Sequence, residues 1–251
     1  VTAEFAVSDP GPTRNPRNLE HTPGGSSSGS AAAVAAGFCD IALGTQTSGS
    51  VIRPAGYCGT FGYKPSFGRV ALDGVLPYSK SMDHIGLFAK DMQTLTASLP
   101  VLVTDWQNTN DGASNKPVIG VPIGSYFDLA KPHIQAQFEV SARKLEGAGY
   151  ELKPITLCED ISIDNDNHDL IANAELYQVH KGWFDDYRDI YKPKSRAMLE
   201  FGQNVSEKTL SDSLKQAKRV QLQMQQLMVE HALDAWIAPV APDLAPEGFA
   251  T

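Results

Sequence analysis

Apolar positions recur at Ile134, Phe138, Ala142 and Leu145, spaced 4, 4 and 3 along the chain. That is the repeat of one face of an α-helix, so the pattern predicts a helix over 132–148. Pro132 suits its first turn, and Gly147 and Gly149 suit its end. Residues 150–157 follow as a strand interrupted by Pro154. A helix leading directly into a strand predicts an α/β layer. Further upstream, residues 26–37 (SSSGSAAAVAAG) predict a helix that serines cap, alanines propagate and Gly37 stops. Residues 39–44 (CDIALG) predict a short buried strand, and 45–57 a tight loop leading into a short helix or turn. A helix is predicted from Asp91 over 91–102, and a strand over 117–122 (PVIGVP). Longer helices are predicted over 166–189 and 207–232. The second of these places Leu210, Leu214, Ala217, Leu227 and Met228 in the core and feeds a short strand over 236–238. Residues 9–25 hold four prolines and no periodicity, which predicts an irregular loop. There is no internal repeat, no charge block and no visible domain boundary.

Composition narrows the function. Of 251 residues 42% are hydrophobic and 20% charged, enough for one sizeable folded domain. Basic residues number 21 against 29 acidic, for a net charge of −8. A nucleic-acid surface needs a basic stripe, so this balance argues against direct nucleic-acid binding. No apolar run approaches the roughly 18 residues of a membrane span. Cys39, Cys58 and Cys158 are too few and too scattered for a disulfide framework or a zinc site, and they fit a reducing compartment. With no secretory leader, the expectation is a cytoplasmic protein. The chain starts without Met and stops just after a Pro-rich run, so the expectation is a piece of a longer chain.

Candidate chemistry concentrates in 24–50, GGSSSGSAAAVAAGFCDIALGTQTSGS. Two Ser/Gly-rich turns flank a small-residue helix and a strand. A flexible linker has similar turns, but the apolar stretch 31–44 should pack. Such turns suit acyl transfer, which needs an exposed serine, a base and backbone N–H donors for the oxyanion. Thr47-Ser48-Gly49-Ser50 could offer that run of N–H groups, and a helix opening after Ser50 would add positive potential. The plainer reading makes Ser50 a helix cap. Gly25-Ser26-Ser27-Ser28-Gly29 also matches the G-x-S-x-G elbow of α/β-hydrolases, but that motif requires a preceding strand, and Glu20-His21-Thr22-Pro23-Gly24 is not strand-like.

The stretches GGSSSGSAAAVAAG, ALGTQTSGSVIRPAGYCGTFGYKPSFGRV and YSKSMDHIGLFAKD resemble the amidase signature family of serine hydrolases over residues 12–91. The late DAWIAPVAPDLAPEG echoes the family's Pro-rich segment, while 92–232 is family-typical in layout only. The resemblance implies an α/β amidase-signature fold, a mixed β-sheet core covered by helices on both faces and truncated here. It implies one partial domain over 1–251, with 1–91 as the core holding both serine loops and 92–251 as its remainder.

The same resemblance implies a Ser–Ser–Lys triad. Its nucleophile falls on Ser50 and its middle member, a serine on a cis peptide bond, on Ser26, 24 positions earlier. The N–H groups of Thr47, Ser48, Gly49 and Ser50 fall on the oxyanion hole, and Ser27 and Arg53 on loop-bracing positions. The third member is a lysine upstream of the middle serine, which must be desolvated to accept a proton. The chain has no lysine before Lys64, which itself sits in the family's G-x-K-P turn. Val1-Thr2-Ala3-Glu4-Phe5-Ala6 resembles the family's stretch between that lysine and the serine loops. Two departures bear on the second loop. Gln46 stands where relatives often have Asp, which leaves the brace to Arg53 in question. Ser48 stands where Gly is common, which would strain a loop that needs positive φ.

The implied activity is hydrolysis of a small-molecule carboxylic amide without metal or organic cofactor. Two alternatives stand beside it: the amidase subunit of a tRNA-dependent amidotransferase, and a non-catalytic fragment or relic of the fold. A homodimer is left open. Among other residues, His84 reads as a structural turn residue, Cys39 and Cys58 as buried small apolar residues, and Asp185 and Asp186 as a solvated helix face. Trp183, Phe184 and Tyr187 fit an aromatic pocket and core packing equally.

Overall fold

The computed structural model describes residues 13–107 and 116–248. The Val1–Ala6 stretch and the first part of the Pro-rich loop lie outside them. The described chain separates into two compact units. The first takes residues 13–107 together with Ala172–Val205 and residues 245–248. The second takes residues 116–171 and Ser206–Leu244.

The first unit is built on a three-stranded antiparallel sheet in the order β1-β3-β2. Its strands are β1 (Ile41–Gln46), β2 (Phe61–Tyr63) and β3 (His84–Ala89). The central strand is covered on both faces. Phe88 packs with Ala31, Val34, Val51, Ala55 and Cys58 on one side. Leu87 and Ala89 pack with Leu95, Leu99 and Val103 on the other. Side chains alternate between faces along a strand, so a strand buried on both sides reads as an unbroken apolar run. That is why β3 escapes a reading by periodicity, and β2 is too short to show one.

Three helices pack around this sheet: α1 (Ser28–Ala35), α2 (Ile52–Cys58) and α3 (Met92–Leu102). α1 ends ahead of Gly37, which adopts φ +75°. α3 starts as the sequence predicts, with the Asp91 carboxylate accepting from the Thr94 N–H at 2.7 Å. The C-terminal end of α2 is capped from a distance. The Arg17 guanidinium donates to the carbonyls of Cys58 and Gly59, each at 2.9 Å. This satisfies two acceptors that a helix end leaves open. Asn15, fully buried, donates to the carbonyls of Thr22 and Tyr57 and fixes the loop that brings Arg17 there. The late Pro-rich segment returns to the same loop. Thr22 N–H donates to the Pro246 carbonyl at 3.0 Å, and His21 pairs with Glu247.

The second unit holds a parallel sheet in the order β5-β4-β6. It is formed by β4 (Val118–Ile123), β5 (Glu151–Thr156) and β6 (Ala235–Trp236), with α4 (Pro132–Gly147) between the first two. Pro154 interrupts nothing: it stands opposite Val121 in register. Of the α4 stripe only Phe138 is buried.

Of the two long helices the first departs from the sequence reading in its extent and the second, found where predicted, in how little of its stripe is buried. The first, α5, runs Ile161–His180, followed by a separate short helix α6 (Phe184–Tyr187). The break lies at residues 181–183, where Trp183 N–H turns back to the His180 carbonyl at 3.0 Å. A further helix, α7 (Pro193–Gln203), precedes α8 (Glu207–Glu230). On α8 Leu210 is buried, Leu214, Leu227 and Met228 are half-buried, and Ala217 is exposed, so the stripe is a partial contact face and not a core ridge. No described helix is long and apolar enough to cross a membrane.

Candidate active site

Serine side chains fasten α1 to β1. Ser27 precedes α1, yet its hydroxyl caps nothing in the helix. It bonds both main-chain groups of Thr45 instead, accepting from the N–H at 3.2 Å and donating to the carbonyl at 3.1 Å. Ser30 donates to the Leu43 carbonyl at 2.7 Å. The approach is close enough that a Cβ on Gly44 would stand 2.7 Å from the Ser27 hydroxyl oxygen. The serine-rich run therefore serves as attachment to the strand.

The two serine turns lie side by side. Ser27 N–H donates to the Ser50 carbonyl at 3.3 Å, and Arg53 Nη2 donates to the Gly25 carbonyl at 3.0 Å. The Gly25–Ser26 peptide is cis. Gly24, at φ +82°, comes so near Pro54 and Tyr57 that a Cβ would lie 2.9 Å from the Tyr57 ring. Ser26, Ser27 and Thr47 line a cavity of about 270 Å³, with Leu72, Val75, Leu76, Tyr78 and Asp83 across from them. Ser50 is half-buried at the head of α2. No strand precedes the 25–29 turn, as the α/β-hydrolase elbow would require.

Gln46 organises the second turn. It is buried, its amide oxygen accepts from Val51 N–H (2.8 Å) and Ile52 N–H (3.0 Å), and its amide nitrogen donates to the Ser48 carbonyl at 2.8 Å. One consequence bears on the expected brace. It does not depend on an acid at position 46, because Gln46 holds the turn by itself while Arg53 reaches to Gly25. Ser48 is outside the positive-φ region, and the strain that a replaced glycine would imply is absent there.

Two carboxylates near the site gave no signal in the sequence beyond the SMDH run. Asp83, buried, accepts from the Thr47 hydroxyl at 2.6 Å, and its second oxygen accepts from the N–H groups of Tyr78 and Ser79. Glu175, also buried, accepts on one oxygen from the Ser79 hydroxyl, the Ser81 N–H and the Ser81 hydroxyl. His84 sits at the start of β3 with Nδ1 against the Met82 carbonyl at 2.6 Å. Burial, and then the charge of Lys64, hold its pKa below the ordinary value. Burial also lowers the pKa of Lys64, whose ammonium donates to the Pro65 carbonyl at 2.7 Å. Phe184 is wholly buried with Leu176 and Leu199, whereas Trp183 and Tyr187 are exposed, so of the three only Phe184 is a core residue. Among the described residues no group of His, Cys, Asp and Glu is placed to hold a metal ion.

The sequence matches the Amidase family over residues 2–248. The chain belongs to the amidase family. Its relatives include a component of the glutamyl-tRNA(Gln) amidotransferase of Methanosphaera stadtmanae, 31% identical over 221 residues, covering 80% of this chain and 48% of that protein. A solved structure described as an amidase superposes with a TM-score of 0.85 at 29% identity, over 96% of this chain and 55% of its own. A second, from a vestigial complex bearing on the origins of an s-triazine catabolic enzyme, gives a TM-score of 0.81 at 28% identity, over 94% and 53%. The fold is thus the α/β fold of amidase-signature enzymes. The amidase-family chain spans about half the length of the curated relatives it matches.

Proposed function

We propose that this protein is an amidase that hydrolyses a small carboxylic amide to the acid and ammonia or an amine through an acyl-enzyme on Ser50. The observation that carries the reading is the pairing of the Ser26 and Ser50 turns, joined by the Ser27 N–H and Ser50 carbonyl beside a cavity that Ser26 and Thr47 line. In this reading Ser50 loses its proton to Ser26, and Ser26 passes it to a lysine base. Ser50 attacks the amide carbonyl, and the N–H groups of Thr47, Ser48, Gly49 and Ser50 receive the oxyanion. Each such donor is worth about 3 kcal/mol in other acyl-transfer enzymes. The amide C–N bond breaks as the leaving nitrogen takes the proton back from Ser26. Water then attacks the ester carbonyl and releases the acid. The base in this reading is a lysine other than Lys64, whose ammonium already donates to the Pro65 carbonyl. Ser27 and Arg53 hold the two turns together, and Gln46 holds the second in shape. Leu72, Val75, Leu76 and Tyr78 favour an amide with an apolar acyl group.

The test is active-site labelling of the full-length protein with a fluorophosphonate. Labelling that maps to Ser50 and vanishes in Ser50→Ala supports the reading, and undiminished labelling of Ser50→Ala refutes it. No labelling of the wild type would favour a non-catalytic relic. A second reading follows from the names of the relatives: the amidase component of a tRNA-dependent amidotransferase, which would release ammonia from glutamine for a partner. Glutaminase activity that appears only with a partner protein and charged tRNA would select it.

A further inference from the structure

We infer that Glu175 is a positioning residue for the Thr47–Ser50 turn, acting through Ser79 and Asp83. This rests on the amidase reading above, and it assigns work to a helix that carries none of the family's serine motifs. The chain of contacts is continuous. One Glu175 oxygen, on α5, accepts from the Ser79 hydroxyl at 2.5 Å, the Ser81 hydroxyl at 2.9 Å and the Ser81 N–H at 3.0 Å. Ser79 N–H and Tyr78 N–H donate to Asp83 Oδ2 at 3.0 and 2.7 Å. Asp83 Oδ1 accepts from the Thr47 hydroxyl at 2.6 Å. Ser79 is fully buried and both carboxylates are 8% exposed.

A buried carboxylate is retained only where donors replace its water, and hydrogen bonds to a charged acceptor are the stronger kind. Three donors converge on Glu175 and three on Asp83, all from residues 78–81 and Thr47. The turn between them has no regular secondary structure of its own. Its shape is therefore set by the two carboxylates, one gripping it from α5 and the other tying it to Thr47. Tyr78 stands in the cavity wall beside Asp83, so the same turn shapes the space in which the amide would sit. Moving Glu175 would loosen the turn, release Asp83, and let Thr47 leave the position from which its N–H would meet an oxyanion.

The experiment uses full-length protein as wild type, Glu175→Gln and Glu175→Ala. It measures kcat and KM on the p-nitroanilide of a short alkyl acid, and amide hydrogen exchange across 41–50 and 78–83. Glu175→Gln keeps an acceptor oxygen and removes the charge, and it should lower kcat on the order of tenfold while KM moves less than about threefold. Glu175→Ala should lower kcat further, with the Gln variant partly restoring it. Exchange should quicken at 78–83 and at Thr47–Ser50 and stay as in wild type over 41–45. A Glu175→Ala protein with wild-type kcat overturns the inference, as does faster exchange that stops at 78–83. Should Glu175→Ala fail to fold, the Gln variant decides by the same criteria. A wild type that neither hydrolyses the anilide nor labels at Ser50 defeats the amidase reading, and the catalytic role of Glu175 falls with it. The exchange pattern then still reports whether Glu175 holds Thr47.

Discussion

Gln46 donates from its amide nitrogen to the Ser48 carbonyl at 2.8 Å, closing the turn it immediately precedes. Its oxygen meanwhile accepts from two N–H groups at the head of α2. One end of the side chain must be a donor and the other an acceptor, and an amide supplies both. Gln46→Glu replaces the donor with a second acceptor facing a carbonyl oxygen in a buried setting. We expect it to lower stability by about 1–3 kcal/mol, the range for stranding a buried polar group. The urea midpoint reads this directly, and the rate of fluorophosphonate labelling at Ser50 should fall with it. If both match wild type, the turn keeps its form without this bond.

Gly44→Ala tests how closely the first serine turn is pressed against β1. The added methyl would meet the Phe88 ring and the Ser27 hydroxyl oxygen, each at 2.7 Å. Phe88 is locked in the core, so Ser27 is the neighbour that must yield, and its bonds to Thr45 would lengthen. Overpacking of this kind destabilises by roughly 1–3 kcal/mol. Thermal melts should show the loss. Gly29→Ala, with open space around its Cβ, provides the contrast and should melt close to wild type.

The local part of this architecture was legible in the residues. Asp91, Pro132 and Gly37 mark helix ends by their own chemistry, and the spacing of the 26 and 50 turns is written in the motif. What stayed hidden depends on distant partners. Nothing near Glu175 in the sequence points to Ser79, 96 positions away, and Thr47 is 36 positions from Asp83. β3 hid for another reason, since burial on both faces removes the alternation that identifies a strand. The predicted 166–189 helix failed at its ends because the apolar pattern runs on through Phe184 while the backbone turns after His180.

His180 supplies a pH prediction. Its imidazole is almost fully enclosed, with Nδ1 against the Tyr191 hydroxyl at 2.7 Å. Burial disfavours the charged ring and holds its pKa below the ordinary 6.5. The unfolded chain therefore takes up this proton first as pH falls. The contribution to stability is present above about pH 6.5 and is lost as the solution acidifies through the lower folded value. His84 and His168, whose pKa values burial also lowers, add in the same direction. Unfolding free energy should decline from pH 7 towards about pH 5, more steeply in wild type than in His180→Gln. Equal slopes would remove His180 from the account.

Cys58 acts at the opposite end of the pH scale. Its side chain is fully enclosed among Ala31, Val34, Val51, Ala55 and Phe88, and its thiol donates to the Pro23 carbonyl at 3.4 Å. Burial pushes the thiol up from 9.0 to about 12, against a smaller opposing pull from Arg17. The folded state thus keeps a proton that the unfolded chain gives up near the ordinary value. The stabilisation is complete below that value and is lost as pH rises from about 9 to about 12. Cys58→Ala removes this titration and should flatten the alkaline decline, even though the smaller side chain lowers stability at neutral pH. The thiolate is the reactive form, so a disulfide reagent at pH 8 should modify the half-buried Cys39 and Cys158 and spare Cys58 until denaturant is added. Rapid modification of Cys58 in the native protein would mean that the packing behind the two serine turns opens far more readily than this enclosed thiol implies.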